Sequence, residues 1–168
     1  IWPLSEADIA DIETALAASR VVERWQDVRR EHFPLAGFAE TVERIAWQLE
    51  DRLGLVLLRG LPVERFTLEE LKRIHLGLAS HLGTPVYQSV RKEMLSEIKD
   101  EGAAAMSRGT LDVAGEDKPF LSSRARVQTP GPLRFHTDRT DVVGLLCASQ
   151  AESGGISQIA SAIAIHDA

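Results

Sequence analysis

Phe38, Val42, Ile45 and Leu49 recur at intervals of four, three and four, while Glu40, Glu43, Glu50 and Asp51 fall off that stripe. A period near 3.6 gathers the apolar side chains on one side, so the spacing predicts an amphipathic helix laid over a sheet. Ile9, Ile12 and Leu16 repeat the spacing behind Ser5-Glu6-Ala7-Asp8, a capping-box helix start with Asp where Glu or Gln is usual. This helix is expected on the outside of the domain. Thr67-Leu68-Glu69-Glu70 is a full capping box, and it opens a helix that carries Leu68, Leu71, His75, Leu78 and Leu82 on one face. Between these helices Gly54 breaks the pattern. Leu55 to Leu58 is then an unbroken apolar run, which predicts a strand buried on both faces, closed by Gly60-Leu61-Pro62. Val86 to Val90 suits a short strand.

The second half reads differently. From Arg91 to Pro132 the chain is polar and rich in small residues, with repeated glycine and proline. So long an irregular stretch in a compact domain points to a functional or mobile segment. Val142-Val143-Gly144-Leu145-Leu146-Cys147 is a buried-strand run. Ser153-Gly154-Gly155 signals a turn, and Ile156 to Ala160 alternates as a half-buried strand does. Residues 20 to 34 are charged, with Trp25 and Phe33 as isolated apolar points to which no role is assigned.

Length and composition narrow the class. The 168 residues suffice for a single domain, 1–168, with a sizeable core, in which 91–132 is a lid or loop segment. A net charge of -6 argues against nucleic acid as a partner, because phosphate backbones are held by clustered Lys and Arg. The single cysteine, Cys147, cannot form an internal disulfide and reads as a small buried hydrophobe. No stretch has the length of a membrane span, and no charged region followed by an apolar one opens the chain. The expectation is a cytoplasmic protein with no membrane partner. A start at Ile1 and a stop at Ala168, just after an apparent helix start, lead us to expect a piece of a longer chain or its ordered part.

The candidate chemistry lies at Phe135-His136-Thr137-Asp138. On extended backbone, side chains two residues apart point to the same side, so His136 and Asp138 can offer one nitrogen and one oxygen to a single metal. Two histidines and a carboxylate with open coordination positions are the ligand set of non-heme Fe(II) oxygenases. With five histidines and ten aspartates, about 0.3 His-x-Asp pairs arise by chance, so the pair needs context. The strand-turn-strand unit that follows it supplies that context, since a barrel wall can present ligands rigidly. Three further histidines read structurally: His75 as a hydrogen-bonded core residue, His81 as a helix C-terminal residue before a left-handed Gly83, and His166 as a surface position on a new helix. Lys118, Arg124, Arg126 and Arg134 occupy a window, 118 to 137, without Asp or Glu. A solvated basic loop and an anion-guiding lid both fit it.

Phe135-His136-Thr137-Asp138, the apolar run, and Ser153-Gly154-Gly155-Ile156-Ser157 together resemble the taurine dioxygenase (TauD/TfdA) family of Fe(II)/2-oxoglutarate-dependent dioxygenases. Gly54-Leu55-Val56-Leu57-Leu58-Arg59-Gly60, followed by a helix ending in His81-Leu82-Gly83-Thr84-Pro85, resembles an upstream block of the same family. The likeness covers about residues 37 to 90 and 133 to 168, in the family's order. It implies an α+β fold built on a double-stranded β-helix (jelly-roll, cupin-like) with flanking helices, incomplete in this chain. It implies His136 and Asp138 as Fe(II) ligands and Ser157 as the hydroxyl that binds the 2-oxoglutarate carboxylate, a place usually held by threonine. Serine keeps the donor, and an ordinary strand serine is the equal alternative. The family's distal histidine and its 2-oxoglutarate arginine are expected outside the given sequence. The activity implied is oxidation, such as hydroxylation, of a C–H bond of a small molecule by O2, with release of succinate and carbon dioxide. A non-catalytic relative serving as a binding or assembly module is the alternative, and a metal-dependent hydrolase or isomerase on a barrel is a third. The sequence names no substrate and leaves a homo-oligomer open.

Overall fold

Ser5 opens the first helix, α1 (Glu6–Ala18), through a reciprocal cap. The Asp8 N–H donates to Ser5 Oγ at 3.2 Å, and the Ser5 N–H donates to Asp8 Oδ2 at 2.8 Å. Aspartate thus completes the box that glutamate usually closes. The computed structural model describes residues 1–88, 92–99, 135–138, 140–161 and 165–167, with backbone alone at 110–111 and 120–121. It divides into two compact units, Ile1–Leu82 with Gly144–Ala168, and Gly83–Val143.

In the first unit, α1 buries Ile9, Ile12, Ala15 and Leu16 and packs on α3 (Leu68–Leu82). One face of it thus lies in the core of this unit while the opposite face is exposed, as expected of a helix on the outside. The second helix, α2 (Ala39–Asp51), buries Val42 and Ile45 behind a buried Phe38, as its stripe predicts. It meets α3, and its Arg44 guanidinium lies 4.4 Å from the centroid of the Trp2 ring. Its start is set from α1, where the Asp11 carboxylate accepts from the N–H groups of Ala36 (3.0 Å) and Phe38 (2.9 Å). A carboxylate among free N–H groups favours a helix N-terminus, and Phe38 has no side-chain acceptor of its own. The far end closes where Gly54, at φ +70, donates to Gln48 O at 3.1 Å. That conformation costs glycine little.

β1 (Trp2–Pro3) and β2 (Leu58–Arg59) form a two-stranded parallel sheet with Trp2 opposite Leu58. Leu55 and Leu57 are exposed, while Val56 and Leu58 are half-buried. The expected strand buried on both faces is thus a short one with one face covered. A parallel strand is buried twice only between two layers.

α3 starts at Thr67, whose Oγ accepts from the Glu70 N–H while Glu70 Oε2 accepts from the Thr67 N–H at 2.9 Å. That backbone bond, aided by the Thr67 hydroxyl and by Arg20, holds the Glu70 carboxyl below the usual glutamate range. The buried face of α3 is Leu71, Arg73, Ile74, Leu76 and Gly77. Leu68 is exposed, and His75, Leu78 and Leu82 are half-buried, so the core stripe is rotated from the expected one. The cause is the charged stretch 19–33. Its 3₁₀ turns at Trp25–Asp27 and Arg30–His32 pack on α3.

Phe33 is fully buried, and its ring lies against Gly77, where an added β-carbon would overlap it. His81 Nε2 donates to Phe33 O at 2.7 Å, so His81 anchors this stretch as well as ending a helix. Gly83 is not among the positive-φ residues, so the expected left-handed stop is not formed. Gly77→Ala is expected to destabilise the unit. Forcing a methyl into a filled core costs about 1–3 kcal/mol, against a helix-propensity gain of about 1 kcal/mol. A lower urea midpoint with an unchanged slope would show it.

In the second unit, β3 (Thr110–Leu111) and β4 (Phe120–Leu121) pair antiparallel, with Thr110 opposite Leu121. Val86 and Tyr87 are exposed and outside any strand, so the strand expected from Val86 is not formed over the described residues 86–88. The Gln88 N–H closes a turn onto Glu93 O at 2.7 Å instead. The expected lid at 91–132 falls mostly outside the described residues, as do Lys118, Arg124, Arg126 and Arg134.

The strands expected at 142–147 and 156–160 are absent as well. Both stretches are non-regular, and apart from the half-buried Leu146 they are exposed. A strand needs a neighbour to take its N–H and C=O groups, and among the described residues none pairs with either stretch. The turn between them is formed as expected, with Gly154 at φ +78 and Gly155 at φ +66. The observed architecture is α+β. No helix among the described residues is long and apolar enough to cross a membrane.

Candidate metal pair

His136 and Asp138 lie in the second unit on a non-regular stretch with exposed side chains. Their tips turn toward one another, with His136 Nε2 3.9 Å from Asp138 Oδ1. Nitrogen and oxygen ligands sit about 2.1 Å from a divalent first-row metal, so two tips on one ion are at most about 4.2 Å apart. The observed separation lies at the far limit of that reach, wider than that of two ligands at right angles on one ion, which would be about 3 Å apart. Both side chains are about half exposed, 46% and 57%, so solvent and a small ligand can reach the pair. One neutral imidazole and one carboxylate suit a site with open positions. Among the described residues no group of three or more metal-ligating side chains gathers. The fit is therefore that of two donors of the right kind.

The remaining candidates belong to the first unit. Ser157, in the first unit, is exposed on the non-regular stretch after Gly154-Gly155. His166 is exposed on a helical turn marked by the Ile165 N–H donating to Ser161 O at 3.1 Å. Its Nδ1 lies 3.1 Å from the carboxylate of its neighbour Asp167, which fits the surface position expected of it. Cys147 is exposed, not the buried hydrophobe expected, because the run that carries it has no covering layer among the described residues.

His75 differs from its expected role too. It is half-buried, burial lowers its pKa, and it makes no hydrogen bond among the described residues. Its ring instead faces Gly144, where an added β-carbon would come 3.3 Å from Cε1. The sequence holds no signal for that contact, since the two residues are 69 positions apart. Arg73 was likewise hidden within a helical pattern. Its buried guanidinium donates to the carbonyls of Ser19 (3.1 Å), Val22 (3.0 Å) and Glu23 (2.7 Å), and it pairs with Glu69 at 3.0 Å.

Comparison with known proteins gives a consistent result. The family described as "Taurine catabolism dioxygenase TauD, TfdA family" matches residues 20–168. The chain is 32% identical over 155 residues to FR-33289 synthase of Streptomyces rubellomurinus, a match covering 90% of this chain and 42% of that protein. It is 26% identical over 172 residues to a taurine hydroxylase-like protein, SAT17, of Stachybotrys chartarum, covering 98% of this chain and 41% of that protein. The chain thus spans about two fifths of the length of these relatives.

Proposed function

The chain belongs to the TauD/TfdA dioxygenase family, and from that premise we propose that it carries part of the active site of an Fe(II)/2-oxoglutarate-dependent dioxygenase acting on a small molecule. The observation that carries the reading is the approach of His136 Nε2 to Asp138 Oδ1 in an exposed setting. In this reading His136 and Asp138 hold the metal, and the Ser157 hydroxyl donates to a carboxylate of 2-oxoglutarate. When bound, Fe(II) with 2-oxoglutarate and O2 supplies an oxidant for C–H bonds, and succinate and carbon dioxide are released. The residues of this chain hold and orient. His136 must be neutral to ligate, so its Nε2 has to give up any proton first. Asp138 contributes the negative charge that offsets the cation. The scaffold in this reading is a double-stranded β-helix, with 91–132 as a cover over the substrate.

The test is 2-oxoglutarate consumption by the protein that carries these residues, supplied with Fe(II) and a panel of small molecules. Succinate formed in step with 2-oxoglutarate loss supports the reading. Turnover sustained by zinc without 2-oxoglutarate contradicts it, and iron-loaded protein that never forms succinate leaves the binding-module alternative. Ser157→Ala is expected to raise the KM for 2-oxoglutarate about 10-fold or more, since a hydrogen bond to a charged group is worth about 1.5–3 kcal/mol. Ser157→Thr is expected to keep the wild-type KM. Steady-state kinetics in 2-oxoglutarate separates the two.

A further inference from the structure

At the starts of α1 and α3, the backbone N–H before the helix donates to a carboxylate three residues on: Ser5 to Asp8 at 2.8 Å, and Thr67 to Glu70 at 2.9 Å. The 3₁₀ turn Arg30–His32 repeats that arrangement with a different acceptor. Here the Arg29 N–H donates to His32 Nδ1 at 3.1 Å. A carboxylate keeps lone pairs to accept with down to about pH 4, whereas an imidazole loses its only acceptor on taking a second proton. The bond therefore requires His32 to be the neutral ring with its hydrogen on Nε2.

The surroundings give a charged ring nothing in exchange. Among the described residues His32 has no ion pair and no second hydrogen bond. Its turn packs on the 3₁₀ turn Ser19–Val21 and on α3. On the first, Arg20 is paired with Glu70 of α3 at 2.8 Å. Elsewhere on α3, Glu69 pairs with Arg73, Lys72 lies 5.4 Å from the centroid of the Trp25 ring, and His75 faces Gly144. On the near side, the Arg29 guanidinium donates to the carbonyls of Gln26 and Val28, and Arg30 and Glu31 are exposed. His81 holds the next residue, with its Nε2 donating to Phe33 O at 2.7 Å. The two histidines thus have opposite proton demands, since a donor survives protonation and an acceptor does not.

We propose that His32 is an acid-released latch, which closes the entry to the Arg30–His32 turn while its ring is neutral and lets it open when the ring is charged. The bond itself gives the sign: the latch is closed at the alkaline end of the range in which histidine changes charge, about pH 8 to 5, and is lost as the pH falls through it. Phe33, seated against Gly77, stays anchored through His81 at either end of that range. The part set free is the stretch between Phe33 and the carbonyls that Arg73 holds, and it includes the buried Val28.

Hydrogen exchange at the Arg29 amide reads the latch, because that N–H is part-buried and bonded to the His32 ring. From about pH 8 to 5, and after correction for intrinsic rates, its protection in the protein carrying this chain is expected to fall about three- to tenfold. His32→Asp restores the kind of acceptor used at α1 and should hold the protection level over the same range. His32→Asn, an acceptor without charge, serves the same comparison if the aspartate variant does not fold. His32→Ala should show the low value throughout, and His81→Gln should keep the wild-type response. Nitrogen chemical shifts of His32 at about pH 8 are expected to show Nδ1 without a hydrogen. No fall in the wild type, an equal fall in His32→Asp or His32→Asn, a response abolished by His81→Gln, or a hydrogen on Nδ1 at about pH 8 overturns the proposal.

Discussion

Replacing His136 with alanine is expected to remove Fe(II) binding and, with it, 2-oxoglutarate turnover. Loss of a residue that merely orients a ligand costs about 10–100-fold in metal affinity, so loss of a ligand should exceed about 100-fold. Asp138→Ala should behave alike, because neither donor alone brings a second tip within 3.9 Å. The fold should survive both changes. His136 and Asp138 are about half exposed, and exposed substitutions away from a packed feature usually shift stability by no more than about 0.5 kcal/mol. Equilibrium dialysis with iron, beside an unchanged far-ultraviolet circular dichroism spectrum, separates a lost ligand from a lost fold. A variant with wild-type iron binding would remove His136 from the site.

The largest effect on stability is expected at Arg73. Its side chain is buried, and its guanidinium donates to Ser19, Val22 and Glu23 carbonyls that lie 50 to 54 positions away. Arg73→Leu keeps bulk and removes every donor. The buried Ser19 carbonyl is then left unpaired at about 1–3 kcal/mol, and the part-buried Val22 and Glu23 carbonyls lose a charged donor, so a loss of about 2–3 kcal/mol is expected. Lysine should recover only part of it, because a single ammonium cannot reproduce a planar fork. Urea denaturation monitored by tryptophan fluorescence reads the loss, since Trp25 sits in the segment Arg73 ties down. An Arg73→Leu protein as stable as wild type would mean that water, or a rearranged segment 19–33, satisfies those carbonyls.

The helices were legible in the sequence, and the partners of Arg73 were not. The three helices could be read because each has a start signal or a clean period: Ser5 with Asp8, Thr67 with Glu70, and Phe38 through Leu49. The approach of His136 to Asp138 could be read because side chains two positions apart are a local pattern. What escaped was decided by contacts distant along the chain. Phe33 looked like an isolated apolar point, yet its partner is Gly77, a residue with no side chain to announce it. Arg73 drew no reading from the sequence, because the carbonyls it satisfies carry no sequence signature. The face of α3 was misread for the same reason, since the segment packed on it comes from residues 19–33. The runs at 142–147 and 156–160 have strand composition without a ladder, because composition specifies a preference and the ladder needs a partner.

The central claim is that His136 and Asp138 hold iron together with 2-oxoglutarate. Anaerobic titration of the protein carrying this chain with Fe(II), then with 2-oxoglutarate, tests it most directly. A weak visible charge-transfer band that saturates with 2-oxoglutarate in the wild type, and is missing in His136→Ala and Asp138→Ala, is the predicted result. A band of equal strength in both variants, or none in an iron-loaded wild type, would contradict it.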